Sequence, residues 1–463
     1  MDRSSTAWTS RAVRLTSERS EAMMPGSRTG TEYVFRSRET STAGVTIGGR
    51  VPAWYFRQDC SSQAGSPLHG CGVCHTGRDT QTKDTVEGVI CVGLPDHIGG
   101  KTMIGEAVGV LGGGNTAFAV AAKLALEGHR VRLWEHPSQA SAVSAITSSR
   151  QIRLTGVGGE GSATLECVST EAADVLHDAT LLLAPVPSYA QGAFLDAISA
   201  HLLPKHVLAF LPGNSGTLAA AHRFRGAGRT PSPLLIESDT APYVCRKLGP
   251  DHVHIFGVVP AMGVGALPAS RSDEAVALLA PLFPGVVAYP HALAAALGAM
   301  NPIVHPPGVL MNAGRIEYSR GDFYFYEEGV TPGVVRVIEA LDGERRALGE
   351  ALGLSLLPVA DAFHAAGFGP KGDLWATING SRMLTALRAP GSLQTRWLSE
   401  DIPFGLRTWV GIGEQIGVAM PVARALIELG NALMGSDAWS VGRGPAELGI
   451  MGLDRKGIEN LLA

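Results

Sequence analysis

Hydrophobic and polar positions divide the chain into three stretches. The first fifty residues are rich in Ser, Thr and Arg and follow neither the helical nor the strand period. From Ala107 onward, short apolar runs alternate with longer amphipathic ones. The runs Ala107–Leu111, His129–Trp134, Gln151–Leu154, Ala163–Cys167, Ala179–Pro187, His206–Leu211, Leu234–Glu237 and His252–Val259 read as strands, several of them apolar enough to be buried on both faces. An Ala-rich segment ending at Gly128 and an amphipathic one from Tyr189 to Leu202 read as helices between them. From about Val286 the period becomes helical, with candidates at Leu293–Met300, Gly333–Leu352, Leu374–Arg388, Gly405–Ile416 and Val422–Leu433. The expected fold is α/β: a doubly wound Rossmann-type parallel sheet over 103–285, followed by an all-α C-terminal domain over 286–463.

The first strand enters Gly112-Gly113-Gly114-Asn115-Thr116-Ala117, which is G-x-G-x-x-A. In a dinucleotide fold Gly112 permits the tight turn, Gly114 lets the backbone approach a pyrophosphate, and Ala117 lets the helix pack on the sheet. Asn115 and Thr116 open that helix, whose free N–H groups and partial positive charge suit phosphates. Glu135 ends the second strand, about 20 residues on, where an acid accepts hydrogen bonds from a ribose diol. NAD is therefore the expected cofactor, with NADP admitted if Arg130 and Arg132, on the same strand, reach the site. A second small-residue turn, Pro212-Gly213-Asn214-Ser215-Gly216, follows another strand at a position where α/β sheets bind ligands.

Length and charge add modest bounds. A chain of 463 residues holds two or three domains. With 45% hydrophobic and 17% charged residues, and no apolar run long enough to span a bilayer, it reads as a cytoplasmic protein without a membrane partner. A net charge of −4 gives no reason to expect nucleic acid. Oligomeric state stays open, a homodimer being one option. Residues 1–102 read as a poorly ordered extension or an over-long start, with Met103 just ahead of the first strand; a chain beginning there is expected to fold and stay active.

Four of the six cysteines lie in that extension, so a disulfide framework for the main body is not expected. Cys71-Gly-Val-Cys74-His75 has the c-type haem spacing, but that chemistry needs export and no export signal is visible. It also resembles the zinc segment of the zinc alcohol dehydrogenases, yet the ligand region expected downstream is missing. No metal is expected.

The helical half carries the polar constellation. Asn301-Pro-Ile-Val-His305-Pro-Pro places an amide and an imidazole four apart, on one face if the segment is helical. An aromatic stretch, Phe323-Tyr324-Phe325-Tyr326, leads through Glu-Glu-Gly-Val-Thr to Pro332 and reads as core or domain interface. Arg396-Trp-Leu-Ser-Glu400-Asp401-Ile-Pro403-Phe-Gly405 packs charges into a turn. By residue type alone, His305 is a loop histidine or a proton carrier, and Arg396 with Asp401 a local salt bridge or a functional pair. Glu237, Tyr243 and Arg246 are site or scaffold.

With the dinucleotide turn and the Pro212-Gly213-Asn214 turn, these pieces resemble, in order, the octopine/nopaline-type opine dehydrogenases, from about residue 103 to the C-terminus. The resemblance implies reductive condensation of an amino acid with a 2-oxo acid, using NADH or NADPH, between a nucleotide domain and a helical domain. It implies that His305 is the catalytic histidine, Asp401 its carboxylate partner, Arg396 a substrate-binding arginine and Asn301 the polar residue preceding the histidine. The chemistry suits them: an imidazole transfers protons near neutral pH, and a guanidinium captures a carboxylate. Two other readings stand beside it. One is a two-domain reductase of the glycerol-3-phosphate dehydrogenase or ketopantoate reductase kind, for which Lys371 is the candidate acid. The other is a nicotinamide-binding regulator without turnover.

Overall fold

The computed structural model describes residues 106–229 and 232–463; the Cys71–His75 motif and Met103 lie outside them. Twelve strands form two sheets among the described residues. They are β1 (Ala107–Leu111), β2 (Val131–Trp134), β3 (Gln151–Gly156), β4 (Gly161–Thr164), β5 (Cys167–Ser169), β6 (Ala179–Ala184), β7 (Val207–Phe210), β8 (Leu234–Ser238), β9 (Tyr243–Lys247), β10 (His252–Val258), β11 (Met262–Leu267) and β12 (Val286–Ala288). The large sheet runs β12-β11-β8-β7-β6-β1-β2-β5 and is parallel except between β8 and β11. Chain order reverses at β1, with β2 on one side and β6 on the other. That switch point opens the crevice where doubly wound sheets take their ligands.

The pattern misleads in a few places, each with a physical reason. The run expected over Ala163–Cys167 is two strands in different sheets: β4 pairs with β3, and β5 with β2. The run from His252 does not join the large sheet; as β10 it belongs to a four-stranded sheet ordered β4-β3-β10-β9. Strands β9 and β11 carry no helpful alternation: β11 is Met-Gly-Val-Gly-Ala-Leu, buried throughout. The helix expected over Leu374–Arg388 breaks into Leu374–Asn379 and Arg382–Thr385. Between them Ser381 turns extended and its side chain accepts from the Leu384 N–H, a cap that starts a new helix.

Helix Asn115–Leu126 is wedged between the sheets, touching β1 and β2 on one side and β3, β4, β9 and β10 on the other. This explains its composition: Ala117, Ala119, Ala121 and Ala122 are wholly buried, and alanine allows close approach from both sides. Gly128, with φ of +90°, lies just beyond its end.

Alternation along the large sheet decides how the halves meet. Leu181, Leu183, Val207 and Ala209 face the helix and small sheet. Leu182, Ala184, Leu208, Phe210 and Leu235 face the other way, into a core continuous with the helical half. The main helices there are Ala292–Gly298, Asn301–Met311, Pro332–Ala351, Arg407–Ile416 and Pro421–Met434. None in the described residues is long and apolar enough to cross a membrane.

Asp239, just past β8, accepts from the Gly263 N–H at 2.9 Å and pairs with the Tyr289 hydroxyl. Burial pushes its carboxyl from 3.8 up to about 7. The unfolded chain therefore releases this proton first, so Asp239 costs stability as pH rises through that window, at up to about 1.4 kcal/mol per pH unit. Asp239→Asn should remove this slope. Urea denaturation of both proteins between pH 4 and pH 7 is the check, and parallel curves would refute it.

Candidate functional site

The dinucleotide turn forms as its residues dictate. Gly112 holds φ at +114°, and its N–H bonds the Trp134 carbonyl at 2.7 Å. At Gly113 a Cβ would sit 2.6 Å from a Glu135 carboxylate oxygen, so glycine is needed for close approach. At Gly114 a Cβ would meet nothing within 4 Å. The protein itself does not need glycine there, and the space lies at a helix N-terminus whose first N–H groups lack intrahelical acceptors, which suits a pyrophosphate. Ala117 is buried.

Glu135 is 4% exposed, and its Oε1 accepts from the His136 N–H at 2.7 Å. Burial raises its pKa, opposed by the His136 and Gly113 N–H groups and by Lys247. Arg130 and Arg132 both bond Glu166, and Arg132 also reaches Asp178 at 2.9 Å and the Asp174 carbonyl. The cation beside Glu135 is instead Lys247, at the end of β9. The side chains of Asn115 and Thr116 also turn toward β9: Asn115 Oδ1 accepts from the Lys247 N–H at 2.9 Å, and Thr116 bonds the Cys245 thiol. What they share with the helix N-terminus is backbone N–H groups without intrahelical acceptors.

In the helical half the two distant motifs meet. His305 lies on helix Asn301–Met311, which contains Pro306 and Pro307, so the carbonyls of Pro302 and Ile303 lose their usual helical donors. Asp401 opens a short π-helix, Asp401–Leu406. His305 Nδ1 sits 2.8 Å from Asp401 Oδ2, with both side chains largely buried. Burial raises the Asp401 pKa, and the hydrogen bond to His305 opposes the rise. The carboxylate fixes the ring by one nitrogen and leaves Nε2 toward the Tyr326 hydroxyl, 3.3 Å away. The Trp397 indole stacks on the imidazole at 4.4 Å and 9°.

Arg396 is one turn from this pair but bonds Glu400, not Asp401: its Nε donates to Glu400 Oε2 at 2.8 Å. Its side chain is 56% exposed and its charge lies within reach of the Tyr189 phenol. The other Glu400 oxygen accepts from the N–H of Ser188 at 2.8 Å and from its hydroxyl at 3.0 Å. Ser188 starts the helix after β6, so Glu400 ties the Arg396 segment to the strand bordering the switch point. Asn301 is exposed at the first position of the His305 helix, and Lys371 is exposed between two helices.

The Pro212–Gly216 turn is filled by the protein. Glu237 beneath it is fully buried and accepts from the N–H groups of Ser215 and Thr217 and from the Thr217 hydroxyl. Arg443, from near the C-terminus, donates to the carbonyls of Asn214 (2.5 Å), Gly213 and Ser188 (both 3.4 Å). Glu237 is scaffold.

Sequence reasoning missed Lys247, Trp397, Glu400 and Arg443, and read Tyr326 as core. Tyr326 is indeed buried, yet it carries the contact to Nε2. Glu400 and Trp397 lay within a motif already singled out, and their charge and ring were the available signal. Nothing in the pattern marks Lys247 or Arg443, which reach the site from distant segments.

Residues 288–434 match the family described as NAD/NADP octopine/nopaline dehydrogenase, alpha-helical domain, and residues 107–212 match the NAD-dependent glycerol-3-phosphate dehydrogenase N-terminus. An opine dehydrogenase of Arthrobacter sp. (strain 1C) is 27% identical over 351 residues, covering 76% of this chain and 97% of that protein. Among solved structures, octopine dehydrogenase with NADH and L-arginine is similar with a TM-score of 0.61 at 18% identity, covering 74% of this chain and 96% of that one. Yersinopine dehydrogenase with NADP+ bound gives the same TM-score and identity, over 77% of this chain and 99% of that one.

Proposed function

We propose that this chain, which belongs to the octopine/nopaline dehydrogenase family, joins the amine of an amino acid to the ketone of a 2-oxo acid and reduces the imine with a nicotinamide cofactor, NADH in preference to NADPH. The buried His305–Asp401 pair carries this reading. Condensation releases water and needs a proton delivered to the departing oxygen and another removed from nitrogen. His305 Nε2 is the atom that exchanges them. Asp401 stabilises the charged imidazole, and Trp397 holds the ring plane. The Tyr326 contact at 3.3 Å is long enough to yield to a substrate group. When bound, the cofactor supplies the hydride. Glu135 favours the ribose diol over a 2′-phosphate.

Arg396, half exposed and oriented by Glu400, captures a substrate carboxylate. Arg396→Ala should raise KM for one acidic substrate by about 10–100-fold, with a smaller change in kcat, because it removes binding shared by ground and transition states. Steady-state kinetics with each substrate varied in turn is the check, and an unchanged KM for both would remove Arg396 from substrate binding. The reading as a whole is tested by NADH oxidation with a panel of 2-oxo acids, with and without amino acids. Dependence on the amine supports it. Equal oxidation with the 2-oxo acid alone would make this a ketone reductase.

A further inference from the structure

Arg130, just before β2, and Arg132, on it, are held by Glu166, yet the adenosine side of the glycine turn does hold a cation. Lys247 Nζ donates to the Ala142 carbonyl at 2.9 Å and to the Gly113 carbonyl at 3.3 Å, and lies 3.5 Å from the centroid of the Phe118 ring. Gly113, Ala142 and Glu135 border one spot: a Cβ on Gly113 would come 2.6 Å from the Glu135 carboxylate and 3.0 Å from the Ala142 methyl. Lys247 is thus bound to both residues named beside the Glu135 carboxylate, Gly113 and Ala142, and its own N–H is fixed by Asn115. Two of its three ammonium donors serve those carbonyls and the Phe118 ring lies against the same nitrogen, so the charge is held in place beside the turn.

We propose that Lys247 determines cofactor specificity: its ammonium, clasped to the glycine turn beside Glu135, offsets the repulsion that Glu135 exerts on a 2′-phosphate. The inference rests on the dinucleotide reading above and deepens it. Glu135 binds the ribose diol and sets the preference for NADH, while Lys247 keeps that preference shallow enough for NADPH to enter. The cation comes from the small sheet, which wraps the helix after the glycine turn and delivers β9 to its N-terminus. A lysine suits this task better than an arginine, since a compact ammonium fits between two carbonyls and an aromatic face.

The test is calorimetric titration of the full chain with ADP-ribose and with 2′-phospho-ADP-ribose, which bind without turnover. Wild type should bind both, ADP-ribose more tightly. Lys247→Met should weaken the 2′-phosphorylated ligand relative to ADP-ribose by about 10-fold, the effect of removing one charge from a half-buried site. Lys247→Arg should keep the wild-type ratio within a few-fold, and Glu135→Gln should shift it the opposite way. Equal weakening of both ligands in Lys247→Met would overturn the proposal, since a lysine that only tethers the turn affects every dinucleotide alike. Binding of neither ligand by wild type would overturn it together with the dinucleotide reading. An enzyme that fails the amine-dependence assay still answers this comparison, so the two readings fail separately.

Discussion

His305→Ala should lower kcat by about 10²–10⁴-fold, the usual contribution of general acid–base catalysis, and leave NADH affinity unchanged. The size follows from what the ring alone supplies. Its Nδ1 is spent on Asp401, its face on Trp397, and only Nε2 is left to exchange protons. The nearby Tyr326 hydroxyl is a poor substitute, because burial drives its pKa up and away from neutrality. Asp401→Asn should produce a smaller loss of the same kind, since the neutral amide keeps a hydrogen bond but not the charge that stabilises the imidazolium. Single-turnover kinetics separate chemistry from binding, and NADH fluorescence reports the cofactor. A His305→Ala enzyme working near the wild-type rate would take His305 out of the mechanism and make Lys371 the next residue to test.

Arg443→Met should cost about 3–5 kcal/mol of stability, the range seen when one partner of a buried charged network is removed. Methionine keeps much of the volume, so the loss is electrostatic. The Asn214 carbonyl and the Gln191 amide oxygen lose a close donor, and the Gly213 and Ser188 carbonyls a longer contact, Gly213 keeping the Gln191 amide and the Gly216 N–H. The buried Glu237 and Glu400 lose a nearby positive charge: burial pulls the Arg443 pKa down to about 10, which leaves the guanidinium charged at neutral pH. Urea denaturation of wild type and variant is the measurement, with Arg443→Lys as a partial rescue. A change below about 1 kcal/mol, the scale of an exposed ion pair, would show that the network adds little.

Much of the nucleotide-binding half was legible because its signals are local. The G-x-G-x-x-A turn, the Ala-rich helix and the acid after β2 depend on neighbours in sequence, and each appears where its residue type requires. Strands β9 and β11 were not legible: glycine interrupts the apolar rhythm of β11, and the polar Arg246 and Lys247 mask β9. The candidate site divides in the same way. His305 and Asp401 were found through motifs, and the structure brings them together across 96 positions of sequence. The pairing of Arg396 with Glu400 instead of Asp401 follows the i,i+4 spacing of a helical turn, a signal present in the motif but passed over in favour of the residue five positions on. Lys247 and Arg443 enter through tertiary contacts that no periodicity encodes.

The large sheet contributes side chains of alternate parity to two cores, and one of these is shared with the helices that hold His305 and Asp401. The halves are thereby thermodynamic partners and not modules. A nucleotide-binding fragment cut away from the helices would lose the cover that helix Ala292–Gly298 gives β8 and β11, baring apolar surface around Leu235 and Leu267 and inviting self-association. A transplanted helical half would therefore have to arrive with its own matching surface for β8 and β11.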